Sequence, residues 1–131
     1  MSNKLLVNNT ASIPESPSSG EEVVITWEKG SLSSSTGAPK TSGSSWRFID
    51  FVEVDTINFK YILKTIGNIS YLHCYYYRDD KSYIGRTSTI STDSNEQEIS
   101  FVNGARYIKM KGAPPSNAKM EDVLSIVKIR R

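Results

Sequence analysis

Ile69-Ser70-Tyr71-Leu72-His73-Cys74-Tyr75-Tyr76-Tyr77-Arg78-Asp79-Asp80-Lys81-Ser82-Tyr83-Ile84 is the stretch whose reading decides the fold. It reads as an aromatic strand, a polar turn from Arg78 to Ser82 and the start of a return strand. Successive side chains of a strand point to opposite faces. Tyr71, His73, Tyr75 and Tyr77 therefore share one face, and Leu72, Cys74 and Tyr76 share the other. The smaller, more aliphatic set suits a packed interior. Three tyrosines and the chain's single histidine are then expected to face outward, as one aromatic surface of a β-sandwich.

The segments on either side agree with an all-β reading. Val23-Val24-Ile25-Thr26-Trp27 is β-branched and opens the folded body as a strand. Glu28 to Ser45 is rich in Ser, Gly and Thr, with Gly30, Gly37, Pro39 and Gly43. A loop of that length is either functional or strapped across the domain. Trp46 to Val54 is a second strand region, and its apolar residues change parity near Ile49–Phe51, which predicts a bulge or burial on both sides. Ile57, Phe59, Tyr61 and Leu63 alternate with Asn58, Lys60 and Lys64 as a half-buried strand should. Gly67-Asn68 turns into the aromatic strand.

Beyond Tyr83-Ile84 the pattern continues. A strand runs toward Ile90, another covers Glu98 to Val102, and Asn103-Gly104 is a turn. Ala105 to Lys111 is a strand with Ile108 and Met110 inward, broken by Gly112-Ala113-Pro114-Pro115. Ala118 to Asp122 fits one helical turn, and Leu124 to Ile129 closes the domain. About eight short strands without a long helix predict an all-β sandwich.

A chain of 131 residues is one ordinary domain. Such a chain buries roughly two-thirds of its unfolded surface and needs no staples. Its one cysteine, Cys74, excludes an intramolecular disulfide and is read as a buried, inert thiol. With 16 basic and 14 acidic residues, the formal charge of +2 gives no reason to expect nucleic acid or an anionic membrane. No apolar run approaches the roughly 20 residues of a membrane span. Leu5-Leu6-Val7 is too short for a secretory h-region, so the expectation is cytoplasmic synthesis without a Sec-type address. Residues 1–22, with Pro14 and Pro17, read as an extended N-terminal arm, and 23–131 as the folded domain. Leu5, Leu6 and Val7 are the arm's candidate assembly contact.

The chemistry-bearing residues favour binding over catalysis. His73 and Cys74 are adjacent on one strand, face opposite sides and cannot form a dyad there. Glu21-Glu22, Asp79-Asp80 and Glu121-Asp122 are neighbours in sequence, whereas paired catalytic carboxylates converge across a cleft. No phosphate loop, nucleophile elbow or histidine-pair metal motif occurs. The expectation is a non-enzyme without cofactor or metal. Tyr71, His73, Tyr75 and Tyr77 are the candidate glycan platform, because a tyrosine ring stacks on a sugar while its hydroxyl meets the polar edge. The alternative is that the Ser/Gly-rich loop, the arm or a neighbouring subunit covers this face. Trp27 and Trp46 are read as core or strap anchors, and Arg47 with Asp50 as serving strand ends or a buried ion pair. Lys109, Lys111, Lys128, Arg130 and Arg131 are read as a solvated basic face.

Taken in order, these features resemble the jelly-roll, carbohydrate-binding-module-like domains of bacteriophage tail, baseplate and fibre proteins. The resemblance rests on Trp27-Glu28-Lys29-Gly30 with Ser34-Ser35-Thr36-Gly37-Ala38, and on Arg47-Phe48-Ile49-Asp50-Phe51-Val52-Glu53-Val54. It continues through Tyr76-Tyr77-Arg78-Asp79-Asp80-Lys81-Ser82-Tyr83-Ile84 and Asn103-Gly104-Ala105-Arg106-Tyr107-Ile108-Lys109. It spans most of residues 24–129. Arg78 stands where the family commonly has aspartate, and Glu53 where proline is frequent. The resemblance implies a jelly-roll virion protein, multi-copy in its assembly and partnered by other virion structural proteins. It decorates a tail, fibre or capsid and contacts host-surface glycans, or serves as a purely architectural adaptor without glycan binding.

Overall fold

A computed structural model of the chain describes residues 20–41, 43–66, 69–90, 96–115 and 118–130. Leu5, Leu6, Val7 and the Gly67-Asn68 turn lie outside the described residues. The described chain is all-β, with one 3-10 turn at Met120–Asp122 and no α-helix. In order come β1 (Glu21–Glu22), β2 (Trp27–Lys29), β3 (Ser31–Leu32), β4 (Pro39–Lys40), β5 (Trp46–Phe48) and β6 (Val52–Glu53). They are followed by β7 (Phe59–Thr65), β8 (Tyr71–Tyr77), β9 (Tyr83–Arg86), β10 (Glu96–Glu98), β11 (Tyr107–Ala113) and β12 (Leu124–Arg130).

Two antiparallel sheets enclose the main core. One has the order β9-β8-β11-β5-β2, with β6 also pairing to β11, and the other has the order β10-β7-β12-β1. The longest ladders lie at the sheet centres, β8 with β11 and β7 with β12. Leu72, Cys74, Tyr76, Ile108 and Met110 point inward from the larger sheet, and Tyr61, Leu63, Leu124 and Ile126 meet them from the smaller one. The two-residue alternation of β7 and β8 produces this directly: their inward positions are the apolar ones. Met120, on the 3-10 turn, closes one end of the core. Tyr76 keeps its polar tip satisfied by donating its hydroxyl to the Ser100 carbonyl.

Several boundaries differ from the sequence expectations. The strand expected over Val23–Trp27 is split into β1 and β2, because residues 23–26 swing between sheets. Val23 N–H donates to the Ile126 carbonyl in the smaller sheet, whereas the Thr26 carbonyl accepts from Ile49 N–H beside the larger one. Val24 is left 86 % exposed at the crossing. Glu21 and Glu22, read as the end of the arm, form β1 and pair with Lys128 and Val127 in the smaller sheet. The parity change near Ile49–Phe51 is a break between β5 and β6. Phe48 faces the main core and Phe51 faces the opposite side of the sheet. The strand expected over Glu98–Val102 is β10, and only Ile99 N–H continues its ladder, to the Tyr61 carbonyl.

Candidate functional site

The outer face of the larger sheet was read either as an open aromatic platform or as a face covered by a loop, the arm or a neighbouring subunit, and over Tyr75 and Tyr77 it is covered. Tyr75 is 0 % exposed and Tyr77 2 %. Both pack with Leu32 in a second apolar cluster, bordered by Phe51, Tyr83 and Tyr107. The cover is the Ser/Gly-rich loop, folded as a β3–β4 hairpin over residues 31–40. It was one of the two outcomes left open for that loop.

Tyrosine chemistry fastens the hairpin. The hydroxyls of Tyr75, Tyr77 and Tyr83 donate to the carbonyls of Leu32 (3.0 Å), Gly37 (2.7 Å) and Ser34 (2.8 Å). A buried phenol must find such a partner, and a loop tip offers carbonyls that no ladder uses. The tip is shaped locally: the Ser33 hydroxyl accepts from Thr36 N–H at 3.2 Å, and Gly37 takes a φ of 69°. A Cβ on Gly37 would lie 2.5 Å from the Tyr83 ring, so glycine is needed there for space as well as conformation.

Arg47 fastens the hairpin's base. It pairs with Glu28 at 2.8 Å, not with Asp50 as expected, because these residues are direct cross-strand partners in β2 and β5. Its Nη1 also donates to the carbonyls of Ser31 (2.8 Å) and Lys40 (3.0 Å), one at each end of the hairpin. Lys109 departs from the solvated face assigned to it. It points away from the main core as alternation requires, yet is 6 % exposed, with Nζ 4.4 Å from the Phe51 ring centre and 3.3 Å from the Ile49 carbonyl.

Two members of the candidate platform keep partial access. Tyr71 and His73 are half-buried, with ring centroids 5.8 Å apart, and Lys111 Nζ sits 5.5 Å over the Tyr71 ring. His73 Nδ1 lies 2.7 Å from Arg86 Nη1 and 3.1 Å from the Thr87 carbonyl. One ring nitrogen cannot donate to one neighbour and accept from the other. A guanidinium only donates and a carbonyl only accepts, so the ring tautomer decides which of the two contacts is the hydrogen bond; Arg86 Nη1 also lies 3.2 Å from Nε2 and 3.3 Å from the Thr87 carbonyl. Burial depresses the imidazole's pKa, and the Arg86 and Lys111 cations depress it further, against the pull of the Thr87 carbonyl. On the other face of the same strand, burial pushes the Cys74 thiol up to about 12.

An open groove of about 1060 Å³ lies at one end of the sandwich, lined by Val24, Ile57, Glu53, Asp55, Arg78 and Arg106 among others. Much of its charge is already matched. Arg106 pairs with Glu53 at 2.9 Å, Lys128 with Glu21 at 2.8 Å, and Asp55 caps its own turn through Ile57 and Asn58. Ile57 is 85 % exposed beside it. Among the described residues, no three His, Cys, Asp or Glu side chains come together in a way that could hold a metal ion.

Comparison of the chain with protein-family models, with curated proteins and with solved structures finds no match.

Proposed function

We propose that the chain is a non-catalytic structural subunit of a bacteriophage virion, with a jelly-roll sandwich that serves mainly as an architectural adaptor or decoration module. The observation that carries the architectural emphasis is the hairpin over residues 31–40. It consumes the rings of Tyr75 and Tyr77 and all three outward phenol hydroxyls near its tip, leaving little open aromatic surface for a sugar. A jelly roll is favoured by the antiparallel pairing throughout and by a chain that crosses repeatedly between sheets, from β7 to β8 and through β10, β11 and β12. The arm preceding β1, with Leu5, Leu6 and Val7, would supply the docking contact, and copies would work together in the particle. Glycan contact survives as a second reading at Tyr71 and His73 alone, which stay half-exposed.

The test is incorporation. Quantitative mass spectrometry of purified particles should find the chain at a fixed multi-copy ratio, and a chain lacking residues 1–19 should fold but be missing from particles. Absence of the intact chain from particles would overturn the virion reading. A saturable glycan-array signal that Tyr71→Ala abolishes would replace the architectural emphasis with the second reading.

A further inference from the structure

We propose that Lys40, His73, Arg86 and Lys111 form a binding site for a tetrahedral oxyanion, a phosphate group, on the outer face of the larger sheet. The four side chains come from four elements. His73 on β8 and Lys111 on β11 are direct cross-strand partners, so their Cβ atoms are about 5 Å apart on one face. Arg86 reaches across from β9 to His73 at 2.7 Å. Lys40, on the hairpin, is placed on this side by Arg47, which donates to the Lys40 carbonyl at 3.0 Å and is the direct β5 partner of Lys111.

Carboxylates neutralise five of the cations on other parts of the surface: Arg47 with Glu28, Arg106 with Glu53, Lys128 with Glu21, Lys60 with Glu98 and Lys64 with Glu96. Among the described residues, Lys40, Arg86 and Lys111 have no such partner within ion-pair distance. Three permanent cations and an imidazole held together raise one another's energy, and an anion between them removes that cost. Arg86 spends only Nη1 on His73 and Thr87, so the remaining edge of its donor fork is presented to a ligand. Donors arrive from β9 and from the β8–β11 pair on one face of the sheet, and a phosphate can offer each of them a separate acceptor oxygen. Arg86 and Lys40 are exposed and His73 and Lys111 half-buried, so the site is open on one side. Tyr71 walls the other flank.

The imidazole supplies a readout. The groups facing it are Tyr71 on its own strand, Lys111 on β11, Arg86 with the Thr87 and Ser88 backbone after β9, and Lys40 on the hairpin through its effect on Lys111. A bound phosphate favours imidazolium, so it should raise the His73 pKa, and binding should tighten as pH falls through it.

The experiment is a titration of the isotopically labelled full chain at constant ionic strength, followed by NMR at the His73 ring and the Arg86 and Lys111 side chains. The probes are inorganic phosphate, a short phosphodiester-linked glycerol oligomer and chloride as control. The expected result is a saturable shift at about millimolar phosphate or below, with a raised His73 pKa and no matching response to chloride. Saturation by phosphate alone assigns the site to the free ion, and saturation by the oligomer at about tenfold lower concentration assigns it to polymer-borne phosphate. Arg86→Ala and Lys111→Gln should each weaken binding about tenfold, while Lys60→Ala leaves it unchanged. The His73 amide fingerprint in each variant reports whether the sheet is intact. A response no larger than chloride's, or one that persists in the folded Arg86→Ala/Lys111→Gln double variant, would overturn the site.

Discussion

The Tyr77 hydroxyl donates to the Gly37 carbonyl at 2.7 Å, joining a central strand to a loop tip forty positions earlier in the chain. Removing the hydroxyl leaves a buried carbonyl without its donor. Tyr77→Phe is therefore expected to destabilise the fold by about 1–2 kcal/mol in urea unfolding. Gly37→Ala should do at least as much, since it combines a φ of 69° with a Cβ against Tyr83. In both variants amide exchange should accelerate first over residues 31–40. Unchanged protection there would mean that the tyrosines do not hold the hairpin.

Arg47 should resist conservative replacement. A lysine at this position cannot serve Glu28, Ser31 and Lys40 together, because it lacks the planar fork. Arg47→Lys is expected to cost about 2 kcal/mol, and Glu28→Gln less than about 1 kcal/mol because that carboxylate is partly solvated. Equal losses in the two variants would show that the ion pair, not the hairpin carbonyls, accounts for the effect.

Cys74 should be silent in the native state. Its thiol is completely buried and shifted to about 12, so almost no thiolate exists near pH 8. Labelling by a disulfide reagent should follow the global unfolding rate across a denaturant series. A fast, denaturant-independent reaction would contradict the packing of β8.

Stability should fall on the alkaline side. Burial raises the pKa of Tyr75, Tyr76, Tyr77 and Tyr83 above the ordinary value of 10.0. A raised pKa means that the native state holds its protons longer. The stabilisation is complete below about pH 10 and is lost as pH climbs toward the folded values. Lys109 and Lys111, whose pKa values are lowered by burial, act in the opposite sense but are fewer. Absorbance at 295 nm should show part of the tyrosine titration coinciding with loss of structure, and smooth titration of every tyrosine before unfolding would refute it.

The inward half of the central strand was legible because alternation is a local property. Leu72, Cys74 and Tyr76 face the main core as their parity requires, and Ile108 and Met110 do the same on the adjacent strand. Parity names a second face for Tyr75 and Tyr77 but carries no information about what lies on it. The cover comes from residues about forty positions away. Its only local signals were a long loop with a lone leucine, Leu32, and glycines spaced like turns. The partner of Arg47 was missed for a related reason: Asp50 is near in sequence, while Glu28 is near only once β2 and β5 pair. Lys109 alternates outward and is buried nonetheless, because Phe51, after the break at 49–51, lies against its ammonium group. The grouping of Lys40, His73, Arg86 and Lys111 depends on three separate strand pairings and the hairpin, none of which spacing alone specifies.

A strand with apolar clusters on both sides has consequences for how the gene can drift. From Cys74 through Tyr77 every position is buried, whichever way its side chain points. Selection on such a segment loses the every-other-residue leniency of an ordinary sandwich strand, and polar replacements meet resistance at four successive codons. The hairpin inherits part of that constraint, since Leu32 and Gly37 can change only in step with the tyrosines beneath them. A loop whose composition looks free to vary is thereby tied to a strand segment enclosed on both faces.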